Sequence, residues 1–442
     1  MRSGDSIGRP DSRAKTFNRA MKILYLSQYF PPEMGAPAAR AAELSQHWAA
    51  AGSDVTVLTG FPNHPTGVVP SAYRSRLRRL VFREERNGVN VVRTWLLPFP
   101  NRRAYERILN YTSFCVSAAV TGVAIPRPDV VIATSPQLLV GLSGWWLARC
   151  NRVPFVFEVR DLWPESLAAV GAGNTGSLLY RSLEKLAGFL YRHADRIVVV
   201  TPAFEKYLVE HWRVPPEKIA VIENGVETQQ FLPADATAVR TQFGIEGKFV
   251  AAYIGTMGMA HGLNTIIDAA HQLRETNPEA VFLMIGEGAE KERIVSAANR
   301  SLLGNLKFID QQPREKIPEF ICASDVCLVP LKKTELFKTV IPSKMFEFMS
   351  CARPLILGVE GQARAILDEA RCGIAIEPEN ASALAGAIRY LASNRDSARQ
   401  MGNNGREYVV RKYSRSQTAD RYLRLLEEML QLPLESVNEL AA

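Results

Sequence analysis

Three short stretches of this chain hold residues whose types and spacing could manage a charged ligand. The first is Gly255-Thr256-Met257-Gly258-Met259-Ala260-His261-Gly262, which follows an apolar run from Phe249 to Ile254 and precedes an apparent helix start at Leu263 to Ala270. Strand, glycine loop and helix together can hold an anion. Glycine lets the backbone come close, and the free N–H groups of a helix start supply donors and positive dipole. A second glycine turn, Gly286-Glu287-Gly288, ends the next apolar run, 281–286. Neither loop has the Gly-x-Gly-x-x-Gly spacing of a dinucleotide fingerprint. They are either two tight strand-to-helix turns or, being on neighbouring strands, the walls of a nucleotide site.

The third stretch is Ile341-Pro342-Ser343-Lys344-Met345-Phe346-Glu347. Ser343 suits an N-cap and Pro342 the approach to a first turn. Lys344 then sits where a lone cation opposes the helix dipole unless an anion is present. Glu347 lies one turn further on among apolar residues. The two form an i, i+3 surface ion pair, or Lys344 meets a phosphate and Glu347 sugar hydroxyls, since a glutamate in an apolar run needs a partner. His261 is a packed or capping residue, or a donor to the same anion. In the first half, Arg160, Asp161, Trp163 and Glu165 follow a buried run, 154–159. They read as a ligand edge, with Asp161 orienting a sugar hydroxyl and Trp163 facing a sugar ring, or as a buried Arg-Asp pair.

The elements that must position these residues alternate strand with helix. Val/Ile-rich strands are expected at 22–27, 54–59, 89–94, 130–133, 154–159 and 196–200, then again at 249–254, 281–286, 306–309, 326–330, 354–358 and 374–378. Near-continuous apolar strands between helices mean α/β domains with parallel sheets covered on both faces. At 442 residues the chain exceeds one core, so two doubly wound, Rossmann-like domains are expected, over 21–230 and 231–405. Residues 1–20 read as a disordered tail or an over-extended start, and 406–442 as a charged helix that returns to brace the first domain. Ligands of open α/β sheets sit at the carboxyl ends of the strands, which points to the cleft between the domains.

The net charge of +8 and pI near 9.2 favour an anionic partner without naming it. The six cysteines show no zinc spacing and read as reduced thiols of a cytoplasmic protein. The polar N-terminus is no secretory signal. Residues 108–125 are uncharged but diluted by Asn110, Thr112, Ser113, Ser117 and Thr121, so a buried or interfacial helix is expected rather than a span. Residues 74–86 carry six arginines against two glutamates, and Arg102, Arg103 and Arg107 follow. They form a solvated helix face or a contact with an anionic membrane surface; no nucleic-acid module accompanies them.

Taken in order, the Pro31–Pro37 loop, Asn224-Gly225-Val226, the 255–262 loop, Gly286-Glu287-Gly288 and the PSKMFE helix resemble the GT-B fold, retaining, family-four-type glycosyltransferases. The likeness covers about residues 21 to 430. It is strongest to the bacterial subgroup that assembles surface polysaccharides, including L-fucosamine transferases. The resemblance implies two domains facing across a cleft and transfer, with retention, from a nucleotide-sugar donor of UDP type to a lipid-pyrophosphate-linked saccharide. It also implies residence on the inner face of the cytoplasmic membrane. It makes Met34 and Gly35 a second wall for the donor diphosphate, Glu347 the ribose ligand, and Asp161, Lys344 and His261 the catalytic group. Arg160, Trp163 and Glu165 fall on the acceptor side, with Ser343 and both glycine loops at the donor. No metal or other cofactor is expected, because the chain has no Asp-x-Asp. The family's usual first glutamate is Thr339 here, and its loop Arg and Lys are Thr256 and His261. A nucleotide-sugar epimerase and a non-catalytic nucleotide- or membrane-binding scaffold are the rival readings.

Overall fold

The computed structural model describes residues 20–64, 66–99, 104–169 and 176–431. Two sheets organise them. The first comprises β1 (Lys22–Leu26), β2 (Asp54–Gly60), β3 (Val81–Arg86), β4 (Val89–Thr94), β5 (Val130–Thr134), β6 (Phe155–Val159), β7 (Arg196–Val199) and β8 (Ile219–Val221), in the order β3-β4-β2-β1-β5-β6-β7-β8. The second comprises β9 (Phe249–Ile254), β10 (Ala280–Ile285), β11 (Leu306–Ile309), β12 (Val326–Pro330), β13 (Leu355–Gly358) and β14 (Gly373–Ala375), in the order β11-β10-β9-β12-β13-β14. All pairings are parallel except that of β3 with β4. Strands such as β5, β6, β9 and β10 are buried at every position, as helices on both faces require.

The exception corrects one expectation. Residues 74–86 are not a helix face: a short helix, Ser71–Arg74, and one turn of 3-10 helix lead into β3, which turns back through Asn87 and Gly88. Both turn residues have positive φ, 49° and 77°, the geometry of an Asn-Gly hairpin. Arg83 and Glu85 project outward from this edge strand, and charge discourages an edge from pairing with another chain. Arg102 and Arg103 lie outside the described residues, as do 1–19 and 432–442.

The tail does return, as two helices. The Arg395–Lys412 helix stays with the second domain, where Tyr408 and Tyr413 join the core and Tyr413 stacks on Phe346 at 4.4 Å. The chain then breaks at Tyr413–Ser414, and the Arg415–Gln431 helix packs on the Ala36–Ala50 helix of the first domain. There Tyr422 meets Trp48 at 5.1 Å, and the Trp48 indole N–H donates to the Ala419 carbonyl. The two connections between the domains pair with each other, the Val226 N–H donating to Tyr413 O and the Arg415 N–H to Val226 O, both at 2.9 Å. Gly225 is required at this crossing because a Cβ would stand 2.8 Å from the Tyr413 carbonyl oxygen.

Among the described residues, no helix is long and apolar enough to cross a membrane. The Ala104–Val123 helix buries Phe114 and Ala118 in the first core but leaves Ile108, Leu109, Val116, Val120 and Val123 exposed along its other side.

Candidate functional site

The glycine loops after β9 and β10 dock on each other. The Met257 N–H donates to the Glu287 carbonyl at 2.8 Å, and the Gly255 N–H to Ile285 O at 3.0 Å. A Cβ on Gly286 would lie 2.1 Å from Gly255 O, and one on Gly288 would lie 2.3 Å from Met257 O. Both glycines have φ between 139° and 156°, so glycine is needed there for space and for conformation. Gly258 opens a 3-10 turn that ends at Gly262, just ahead of the Asn264–Thr276 helix. Thr256 is exposed, and its carbonyl accepts the Tyr253 hydroxyl at 2.5 Å. The Glu287 side chain pairs with Lys291, which also holds Asp310.

Lys344 reaches into this loop. Its ammonium lies 4.0 Å from the Tyr253 ring centroid and beside Gly255, where an added Cβ would be 2.9 Å away. Nζ is buried and has no hydrogen-bond partner. Burial pushes its pKa from 10.5 down to about 7, against a smaller opposing pull from the Glu347 charge. Ser343 precedes the Lys344–Ser350 helix but makes no capping hydrogen bond; its own φ and ψ are already helical, which turns the hydroxyl away from the first-turn amides. His261 lies in the 3-10 turn of the same loop. Burial, then the neighbouring Lys344, push its pKa down to about 3, so the ring is neutral at physiological pH. Its Nδ1 is buried without a hydrogen-bond partner.

Glu347 does not pair with Lys344. Its Oε1 accepts from Arg314 Nη1 at 3.0 Å, and Arg314 Nη2 reaches Glu43 of the Ala36–Ala50 helix at 2.6 Å.

On the first domain, Gly35 (φ 129°) stands at the N-terminus of that same helix, whose first turn holds no acidic residue. Met34 beside it is partly exposed. Arg160 Nη1 approaches the Pro37 carbonyl at 3.5 Å and its backbone N–H donates to Ser135 Oγ, so the structure brings the Met34–Gly35 loop and Arg160 together. Arg160 Nε is buried and unpartnered. Asp161 is half-buried, and desolvation pushes its carboxyl up to about 6 against the pull of Arg160. Among the described residues no ion pair within 4.0 Å joins Arg160 to Asp161; the neighbouring Glu158 takes Arg40 at 2.7 Å. Trp163 is partly buried against the first core, with its indole N–H buried and unpartnered. The Glu165 carboxylate accepts the Tyr207 hydroxyl at 2.6 Å, which turns it into its own domain. Among the described residues no group of three or more His, Cys, Asp or Glu could hold a metal ion.

Residues 35–225 match the glycosyl transferase 4-like domain, and residues 235–408 match the glycosyl transferases group 1 domain. The chain belongs to this glycosyltransferase family. Among curated relatives, the glycosyltransferase is 27% identical over 382 residues to WcaI of Escherichia coli (strain K12), named as a colanic acid biosynthesis glycosyl transferase. That alignment covers 84% of this chain and 91% of WcaI. Its GT-B fold is shared with sucrose-phosphate synthase from Thermosynechococcus elongatus, with a TM-score of 0.72 at 21% identity over 92% of this chain and 99% of that one. It is shared also with Anabaena HepE in complex with UDP-glucose, with a TM-score of 0.69 at 16% identity over 92% and 100% of the two chains.

Sequence reasoning missed two groups of residues in this glycosyltransferase. One is the Arg314–Glu43 link, for which no local pattern exists. The other is a polar cluster after β1 and β2. There Gln28 donates to Asn110 at 2.5 Å, Asn110 to Asn63 at 3.2 Å, and buried Glu33 accepts the N–H groups of Asn63 and His64 at 2.9 Å. Burial pushes the Glu33 carboxyl up to about 7 in spite of those donors. The run Phe61-Pro62-Asn63-His64 directly after a buried strand was the available signal.

Proposed function

We propose that this glycosyltransferase moves a sugar, a UDP-linked N-acetylamino sugar of the fucosamine class, onto a lipid-pyrophosphate-linked saccharide during surface-polysaccharide assembly, with retention and without a metal. The observation that carries the reading is the buried, unpartnered Lys344 ammonium against Gly255. A buried cation without a counter-charge is costly, and a donor diphosphate between the glycine loops and the start of the Lys344–Ser350 helix supplies that charge. Glu347 takes the ribose hydroxyls. The Gly35 helix N-terminus and Arg160 offer a second set of donors from the first domain. In the transfer, the bond from the anomeric carbon to the diphosphate oxygen breaks and its electron pair leaves on the diphosphate. The acceptor hydroxyl oxygen bonds the same carbon, its proton passes to the departing diphosphate oxygen, and Asp161 orients the reacting sugars. The colanic acid name of WcaI and the UDP-glucose bound to HepE support the polysaccharide and donor assignments.

The exposed apolar side of the Ala104–Val123 helix supports peripheral contact with the anionic inner face of the cytoplasmic membrane. Asn110 of that helix enters the polar cluster beside Gln28, which would bring a lipid-borne acceptor to the strand ends.

A thermal-shift screen with UDP, GDP, dTDP and their sugars tests the proposal, because a ligand of the folded state raises its midpoint. UDP-sugars should raise the midpoint most, and Lys344→Ala should lose that shift together with turnover. A chain that no nucleotide stabilises, or a Lys344→Ala variant with unchanged turnover, would sink the assignment.

A further inference from the structure

Arg314 stands between two carboxylates from different domains. Nη1 donates to Glu347 Oε1 at 3.0 Å, and Nη2 to Glu43 Oε1 at 2.6 Å. The other oxygen of Glu43 is held by Arg415 Nε at 2.7 Å. The chain of charges therefore alternates Glu347, Arg314, Glu43, Arg415 and crosses from the second domain to the first. The Arg314 guanidinium also lies over the Phe231 ring at 5.0 Å, which fixes its plane. Burial pushes the Glu43 pKa up, but Arg415 and Arg314 together overcome it and hold the carboxyl below its usual range. Glu347 Oε2 carries no hydrogen bond among the described residues, so one oxygen is held and the other is open.

This geometry depends on the arginine fork. A planar guanidinium can serve two carboxylates at once, whereas an ammonium is a point charge without that geometry. Glu43 matters for the opposite reason. If it did not engage Nη2, Arg314 would be free to close on both oxygens of Glu347 and leave none for a ligand. We propose that Arg314 is a positioning residue for donor recognition: anchored on Glu43 of the first domain, it fixes the Glu347 carboxylate with one oxygen free for the ribose hydroxyls. The ribose preference of the second domain thereby depends on a residue of the first. The inference rests on the reading of Glu347 as the ribose ligand.

The test compares UDP with 2′,3′-dideoxy-UDP by calorimetry on the full chain, for the wild type, Glu347→Gln, Arg314→Gln, Arg314→Lys and Glu43→Gln. The wild type should prefer UDP by about tenfold or more, the worth of a charge-assisted hydrogen bond. Glu347→Gln should abolish most of that preference. Arg314→Gln and Arg314→Lys should reduce it to about threefold or less while leaving dideoxy-UDP affinity nearly unchanged, and Glu43→Gln should act in the same direction. A merely structural role would weaken both ligands alike, so equal weakening, or an intact preference in both Arg314 variants, overturns the inference. Should Arg314→Gln fail to fold, Arg314→Lys, which keeps the charge, decides alone. An intact preference in Glu347→Gln would instead overturn the ribose reading itself, and the role of Arg314 with it.

Discussion

Replacing Lys344 by methionine should make the empty protein more stable while removing its donor binding. The folded pKa of Lys344 is about 7 against an ordinary 10.5, with burial as the cause. The unfolded chain therefore binds more protons between these values, and the cost of burying the ammonium is fully present below pH 7 and fades as pH rises towards 10.5. At about 1.4 kcal/mol for each pKa unit, that cost is about 5 kcal/mol near pH 6 and about 2 kcal/mol at pH 9. Methionine has a similar length, carries no charge and keeps a favourable contact with the Tyr253 ring. Lys344→Met should therefore raise the melting midpoint of the empty protein by a few degrees at pH 6, and by less at pH 9. The same variant should show no UDP-induced shift and little turnover. Thermal unfolding at the two pH values, with and without UDP, measures all of this. A variant less stable than wild type at pH 6, or one that still gains stability from UDP, would show that Lys344 is not a suppressed charge awaiting an anion.

In the wild type, UDP affinity should be flat below pH 7 and fall by up to about tenfold per unit above it, since only protonated Lys344 meets the diphosphate. Calorimetry in two buffers of different ionisation enthalpy should register proton uptake on binding at pH 8, and none would count against the assignment. Gly286→Ala should cost about 2–4 kcal/mol in chemical denaturation, because its Cβ meets Gly255 O at 2.1 Å and its φ is 139°. Wild-type stability there would mean that the two loops are not docked as described. Val116→Asp combined with Val120→Asp, at sites 59% and 70% exposed, should leave folding nearly unchanged yet weaken binding to phosphatidylglycerol vesicles by at least about tenfold. Equal co-sedimentation would remove this helix from the membrane contact.

Much of the fold was legible because it is written locally. β9 and β10 are unbroken apolar runs, and their glycine turns mark strand ends without any knowledge of the partner strand. The site was legible only so far as it depends on neighbours in sequence. Lys344 and Gly255 could be named separately, but their contact across 89 positions of chain could not. The i, i+3 pairing of Lys344 with Glu347 fails because Arg314 arrives from a different strand end and offers a better geometry. The burial that lowers the pKa of His261 is likewise revealed by no sequence pattern. Residues 74–86 are a different case. Asn87-Gly88 is a strong two-residue hairpin signal, and the density of arginines in the run before it obscured it.

The family resemblance leaves open how a diphosphate is held when Thr256 and His261 occupy positions that usually bear cations, and the distribution of unpaired charge bears on that question. Glu347 and Glu43 share Arg314, Glu43 also holds Arg415, and Glu158 holds Arg40. By contrast, Lys344 Nζ and Arg160 Nε, one on each domain, are buried without partners. Those three carboxylates are thus compensated, whereas Lys344 and Arg160 each keep a buried donor unused. Protein interiors rarely leave such groups unpaired. An anion bridging the domains would satisfy both at once, and would gain most where its charge is greatest, at a diphosphate. Charge supplied in this way differs from a loop arginine in one respect: burial holds the pKa of Lys344 near 7 until the ligand arrives, so full protonation and binding are a single coupled event.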